Sequence, residues 1–91
     1  MNKFEKGIDV LCVFSYGTPP KPRKFKIKYR NGAIKTIEID QIRFVEEMYK
    51  NGISNHHFIY HCTSEDNEVL VNYILKYFVI DMRWELAINN I

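Results

Sequence analysis

The stretch from Arg23 to Asp40, RKFKIKYRNGAIKTIEID, leaves the chain few choices. Its first half alternates at every position. In an extended chain Phe25, Ile27 and Tyr29 face one way and Lys24, Lys26 and Lys28 the other. A helix would scatter the same residues around its circumference. Asn31-Gly32 then signals a turn, and residues 34–40 return as a second strand. A two-residue turn would pair Arg30 with Ala33, which sets Phe25 opposite Glu38 and mixes the faces on every rung. A three-residue loop with Gly32 in the left-handed conformation pairs Tyr29 with Ala33. Phe25 then meets Ile37, and Lys24 meets Glu38. Opposed side chains share a face, so the sequence predicts the second register, a bulged hairpin.

The rest of the chain reads in the same manner. Residues 8–16 are a short apolar run, the pattern of a strand covered on both sides. Residues 17–22, GTPPKP, break it. Residues 41–49 form a further strand with Ile42 and Phe44 inward and Arg43 and Glu47 outward, although its acidic end also suits a helical turn. A loop follows at 50–55. Residues 56–62 and 69–77 are strands around a turn, and 78–88 close the chain with Ile80, Met82, Trp84 and Leu86 on one face. Residues 66–78 also fit a capped helix, with Val69, Tyr73 and Tyr77 at i, i+4 spacing. The β-branched and aromatic content favours strand. Helix-forming filler is scarce, since Ala33, Ala87 and Gln41 are the only alanines and glutamine. The expected fold is therefore all-β: one domain over residues 1–91 with its core in 8–88, mainly antiparallel, a barrel-like or strongly curved sheet of six or seven strands.

Ninety-one residues suffice for one domain of modest burial. The formal charge of +2 is too small to imply a polyanionic partner. Cys12 and Cys62 cannot supply a disulfide framework and read as small apolar residues. Glu5 and Asp9 interrupt the region where a secretion signal would sit, and no apolar run approaches a membrane span. A soluble protein of the cytoplasm, with no membrane partner, is the expectation.

Four features bear on function. His56, His57 and His61 lie within a few residues of Cys62. On a strand His57 and His61 share a face but stand about 13–14 Å apart. Two ligands of one zinc ion must each lie about 2.0–2.3 Å from it. A metal at His57 and His61 would thus need ligands from another strand, and a histidine-bearing strand is the simpler reading. Second, residues 21–30 hold six basic residues and no acid. Lys24, Lys26, Lys28 and Arg30 could track a phosphate backbone. Lysines also guard strand edges, and Glu38 opposite Lys24 weakens the ladder. Third, no nucleophile elbow and no glycine-rich phosphate loop occurs, so neither an enzyme nor a bound cofactor is expected. Fourth, residues 69–80 are apolar on both faces. Such a strand is either the central strand of a closed barrel, or Leu70, Ile74 and Phe78 on one of its faces serve a homo-oligomer or a protein-docking surface.

The order of these patterns resembles a family of small all-β proteins from Firmicutes, clostridial in type, that has no assigned function. The likeness rests on "PRKFKI", "VEE", "YHCTS", "NYILKY" and "MRWEL", and spans about Ile8 to Leu86. It implies an all-β fold with strand over 66–78, and it carries no catalytic residues. The leading functional expectation is a non-enzymatic interaction module that self-associates, followed by nucleic-acid binding and then by metal binding.

Overall fold

The computed structural model describes residues 4–29, 31–49 and 55–88. They form β1 (Phe4–Lys6), β2 (Val10–Val13), β3 (Lys21–Lys28), β4 (Ile34–Glu38), β5 (Gln41–Met48), β6 (His57–Asp66), β7 (Val69–Phe78) and β8 (Arg83–Ile88). Five strands make one antiparallel sheet in the order β1-β8-β7-β6-β5, and three make another in the order β2-β3-β4. No α-helix occurs among the described residues.

The β3–β4 hairpin has the register that face-matching requires, with Phe25 opposite Ile37 and Lys24 opposite Glu38. Tyr29 N–H donates to the Ala33 carbonyl at 2.8 Å, and Gly32, at φ 89°, donates to the Tyr29 carbonyl at 2.9 Å. Such a left-handed position favours glycine, which has no Cβ to clash. Residues 66–78 hold no helix: Asp66 ends β6 and residues 69–78 are strand. Asn67 and Glu68 both have positive φ and join β6 to β7, as a two-residue hairpin turn demands. The spacing of Val69, Tyr73 and Tyr77 was ambiguous because residues four apart share a face in a strand as well as in a helix.

The described strands form two separate sheets and do not close into a barrel. Two extended segments each bend and serve both sheets. Gly7, at φ 71°, donates to the Trp84 carbonyl, and Asp9 accepts from Lys26 N–H at 3.0 Å, so the chain leaves β8 for β3 within three residues. At the other corner Ile39 N–H donates to Arg23 and Asp40 N–H to Thr63, consecutive amides serving different sheets. A chain that runs through a corner without reversing cannot pair with itself, so β1 and β2, and likewise β4 and β5, remain unpaired to each other. Six extended runs thereby become eight paired strands, one of them the three-residue β1.

The two sheets face each other across one core. Phe25 of the smaller sheet forms one core cluster with Tyr60, Cys62, Tyr73, Leu75, Tyr77, Trp84 and Leu86 of the larger, and Val10, Cys12, Ile27 and Ile37 pack against that cluster. Phe25 meets Tyr73 edge-on at 5.3 Å, and Tyr77 lies 4.8 Å from Trp84. Among the described residues no fully buried side-chain oxygen or nitrogen lacks a hydrogen-bond partner. Tyr60 donates to the Pro20 carbonyl, which pins the proline-rich loop onto the core. The Ser64 hydroxyl donates to the Glu38 carbonyl at 2.6 Å. Its single proton is then spent, so Tyr73 must donate to Ser64, also at 2.6 Å. This relay ties the five-stranded sheet to β4.

Three sequence-based assignments need correction. Of residues 8–16 only Val10–Val13 are strand, and Leu11 and Val13 are exposed, so this strand is covered on one side and not on both. β8 begins at Arg83, and residues 79–82 form a turn in which Ile80 and Met82 are exposed and Met82 has φ 52°. Trp84 and Leu86 do face the core. In β5 a bulge falls between Ile42 and Phe44. It keeps Ile42 inward but turns Phe44 outward, because one extra residue reverses the alternation. The acidic end of β5 is strand through Met48, and the loop expected at 50–55 falls, but for Asn55, outside the described residues.

Candidate functional site

The outer face of the five-stranded sheet carries three cross-strand rows. Met48, His57, Phe78 and Arg83 form one, Glu46, Ile59, Lys76 and Glu85 the next, and Phe44, His61, Ile74 and Ala87 the third. The two histidines of the metal reading and two residues of the interface reading are therefore direct partners: His57 faces Phe78, and His61 faces Ile74.

Flat rings build the outer rows. His57 stacks on Phe78 at 4.7 Å, and the Arg83 guanidinium lies over the same Phe78 ring at 4.5 Å. Phe44 stacks on His61 at 4.0 Å. Tall side chains shelter short ones, so Ala87, Thr63 and Glu85 are buried although no element among the described residues lies over this face. His57 is itself only 8% exposed, whereas the alternation alone had put it on the wetter face. Polar groups along the rows find partners in the rows or beside them. His61 Nε2 lies 2.6 Å from Glu46, and His57 Nδ1 donates to the Asn55 carbonyl at 2.8 Å. Arg83 reaches Asp81 at 2.7 Å and Glu85 at 3.0 Å.

Leu70, Ile74 and Phe78 share this face, as period-two alternation requires. Ile74 and Phe78 are half-buried inside the rows, while Leu70 lies beyond Asn72 near the β6–β7 turn and is exposed. Phe44, Glu46 and Met48 belong to the same surface. Sequence reading missed Phe44 because a bulge leaves no mark in the hydrophobic pattern.

A row of Ile59 separates His57 from His61, and each imidazole holds a different partner. Among the described residues no group of three or more His, Cys, Asp or Glu is placed to hold a metal ion. His56 lies apart from both. Its Nε2 approaches Glu47 at 2.8 Å and its ring stacks on Tyr49 at 4.3 Å. Glu47 also accepts from the Tyr49 hydroxyl at 2.7 Å. That bond first, and the His56 contact second, hold the Glu47 carboxyl below its ordinary value, and Tyr49 is raised in return.

Lys24, Lys26 and Lys28 lie exposed on the outer face of the three-stranded sheet, opposite Glu38, Thr36 and Ile34. Arg30 falls outside the described residues. Asp9, Leu11 and Thr36 border a shallow, open depression beside Lys24 and Lys26. In the core, burial pushes the Cys62 thiol up to about 12 and raises Cys12 as well, which leaves little thiolate at neutral pH.

No helix among the described residues is long and apolar enough to cross a membrane. Comparison with family models, with curated proteins and with solved structures finds no match.

Proposed function

We propose that the protein is a non-enzymatic interaction module that associates with a second copy of itself through the outer face of the five-stranded sheet. One observation carries the reading: Phe44, Ile59, Ile74 and Phe78 lie together on a sheet face that no described element covers. Contiguous apolar and aromatic area of this kind marks interaction sites. A second copy is a fitting occupant because the face carries little net charge to repel its like. Within the three rows the charged residues Glu46, Glu85, Lys76 and Arg83 are two acids and two bases, and Glu65, opposite Leu70 at the end of the face, adds one acid. The lysine-lined face of the other sheet would repel its own copy. The free thiols of Cys12 and Cys62 suit a reducing compartment, and we assign the module to the cytoplasm on that ground.

Sedimentation at high micromolar concentration tests the reading. The wild type is expected to exceed monomer mass, and Phe78→Asp is expected to stay folded and lose that association. A wild type that sediments as a monomer defeats the proposal.

A second reading, nucleic-acid binding, rests on the exposure of Lys24, Lys26 and Lys28 along one uncovered strand face. Glu38 opposite Lys24 counts against it.

A further inference from the structure

The three-stranded sheet concentrates positive charge on its uncovered side. Lys21, Arg23, Lys24, Lys26 and Lys28 are all exposed along β3. A bulge completes this row. The register shifts between Leu11–Lys24 and Cys12–Pro22, so Arg23 is the extra residue and Pro22 takes a buried place like that of Phe25. Strict alternation would set Lys21 on the side of Phe25, and the bulge moves it to the side of Lys24. Two acids stand beside the row, Asp9 and Glu38. Five bases against two acids leave a surplus of three, where the whole chain carries a formal charge of +2.

Aliphatic side chains flank these charges. Val13 lies opposite Lys21, Leu11 opposite Lys24 and Ile34 opposite Lys28. Opposed residues share a face, and the three are exposed by 43%, 59% and 64%.

We propose that this face binds the surface of a membrane rich in anionic phospholipid. The charge selects a polyanion, and the aliphatic groups select among polyanions. A bilayer holds hydrocarbon directly beneath its phosphates. Leu11, Val13 and Ile34 can enter that boundary while the flexible lysine stems carry their ammonium groups sideways to the headgroups. A single-stranded nucleic acid is held by bases stacked on aromatic rings as well as by charge. No aromatic ring faces outward on β2, β3 or β4. The three aliphatic groups would meet only sugar and phosphate there. The expectation of no membrane partner followed from the lack of a spanning run, and attachment to a surface needs none. The site is also separate from self-association. Five-stranded sheets that meet outer face to outer face leave the two lysine faces pointing away from the contact.

Flotation with lipid vesicles tests the face. The protein is expected to float with vesicles of phosphatidylcholine and phosphatidylglycerol at low salt, and to stay behind with phosphatidylcholine alone. Each basic residue near an anionic surface strengthens binding about fivefold, so Lys21→Gln with Lys28→Gln should weaken it roughly 25-fold. Leu11→Gln with Ile34→Gln should weaken it roughly tenfold. Phe78→Asp, altered on the other sheet, should float as the wild type does. Circular dichroism checks that each variant is folded. A wild type that does not float with the anionic vesicles overturns the proposal. Undiminished flotation of the Leu11 and Ile34 variant overturns it too, because charge alone would then account for the binding. Capture of a single-stranded oligonucleotide without flotation gives the face to nucleic acid. Flotation lost in Phe78→Asp but kept in the lysine variant moves the site to the five-stranded sheet and refutes the assignment.

Discussion

Removing the Tyr73 hydroxyl should rescue a protein that lacks the Ser64 hydroxyl. Both residues are 3% exposed, and the Ser64 oxygen stands between the Tyr73 hydroxyl and the Glu38 carbonyl at 2.6 Å from each. Ser64→Ala strands the Tyr73 hydroxyl in the core, at a cost of about 1–3 kcal/mol. It also deprives the Glu38 carbonyl of its donor, a smaller loss because Glu38 lies at the surface and water can replace it. The total is about 2–3 kcal/mol, a fall of roughly 10–20 °C in Tm for a domain of this size. Tyr73→Phe removes only the donor to Ser64, which keeps its own bond to Glu38, and costs about 1 kcal/mol. In the double variant no hydroxyl is stranded. It should therefore be more stable than Ser64→Ala alone, at a cost of about 1–2 kcal/mol relative to wild type. Urea denaturation of the four proteins measures the cycle. A double variant that loses the sum of the two single losses would refute the relay, as would Ser64→Ala within about 0.5 kcal/mol of wild type.

Three further outcomes follow from the same geometry. Cys62, 1% exposed with its thiol pushed up to about 12, should resist alkylation at pH 8 until the protein unfolds, whereas the half-buried Cys12 reacts first; mass spectrometry of timed samples reads the order. Glu47 has its carboxyl lowered on folding, so its contribution is present above the ordinary carboxylate value of 4.5 and is lost as pH falls through the lower folded value; Glu47→Gln should also return the Tyr49 phenol toward 10, which an ultraviolet pH titration detects. If the lysine face binds single-stranded nucleic acid, affinity should fall steeply with salt and vanish in Lys24→Glu with Lys28→Glu, and binding that ignores salt in a filter or anisotropy assay would remove that reading.

Local patterns in this sequence translate well into structure, and pairings across the corners do not. The β3–β4 register followed from face-matching alone, because each rung had one consistent partner. The division of β7 into two faces followed from alternation, although both faces are apolar and alternation alone left open which one is inward. By contrast, nothing in Ile39-Asp40 announces that consecutive amides bond to different sheets, so a curved or barrel-like sheet was the natural expectation. The bulge at Arg43 was invisible for a related reason. It is set by how β5 meets β6, and β5 alone reads as regular alternation. That one residue hid Phe44 from the outer surface. The histidines show the remaining limit. Their common face was legible, but the flat rings of Phe44 and Phe78 that bury or stack on them come from other strands.

The chain order within the sheets has a kinetic consequence. Every ladder joins strands that are neighbours in the chain except β1 with β8, which links Phe4–Lys6 to Glu85–Ala87. Local hairpins close small loops and form early, while a pairing across nearly the whole chain carries the largest closure entropy. Refolding should therefore assemble β6, β7 and β8 first and dock β1 last. The amides of the three-residue β1 should exchange with solvent well ahead of those in β7, so that this margin opens and recloses while the rest of the sheet stays intact.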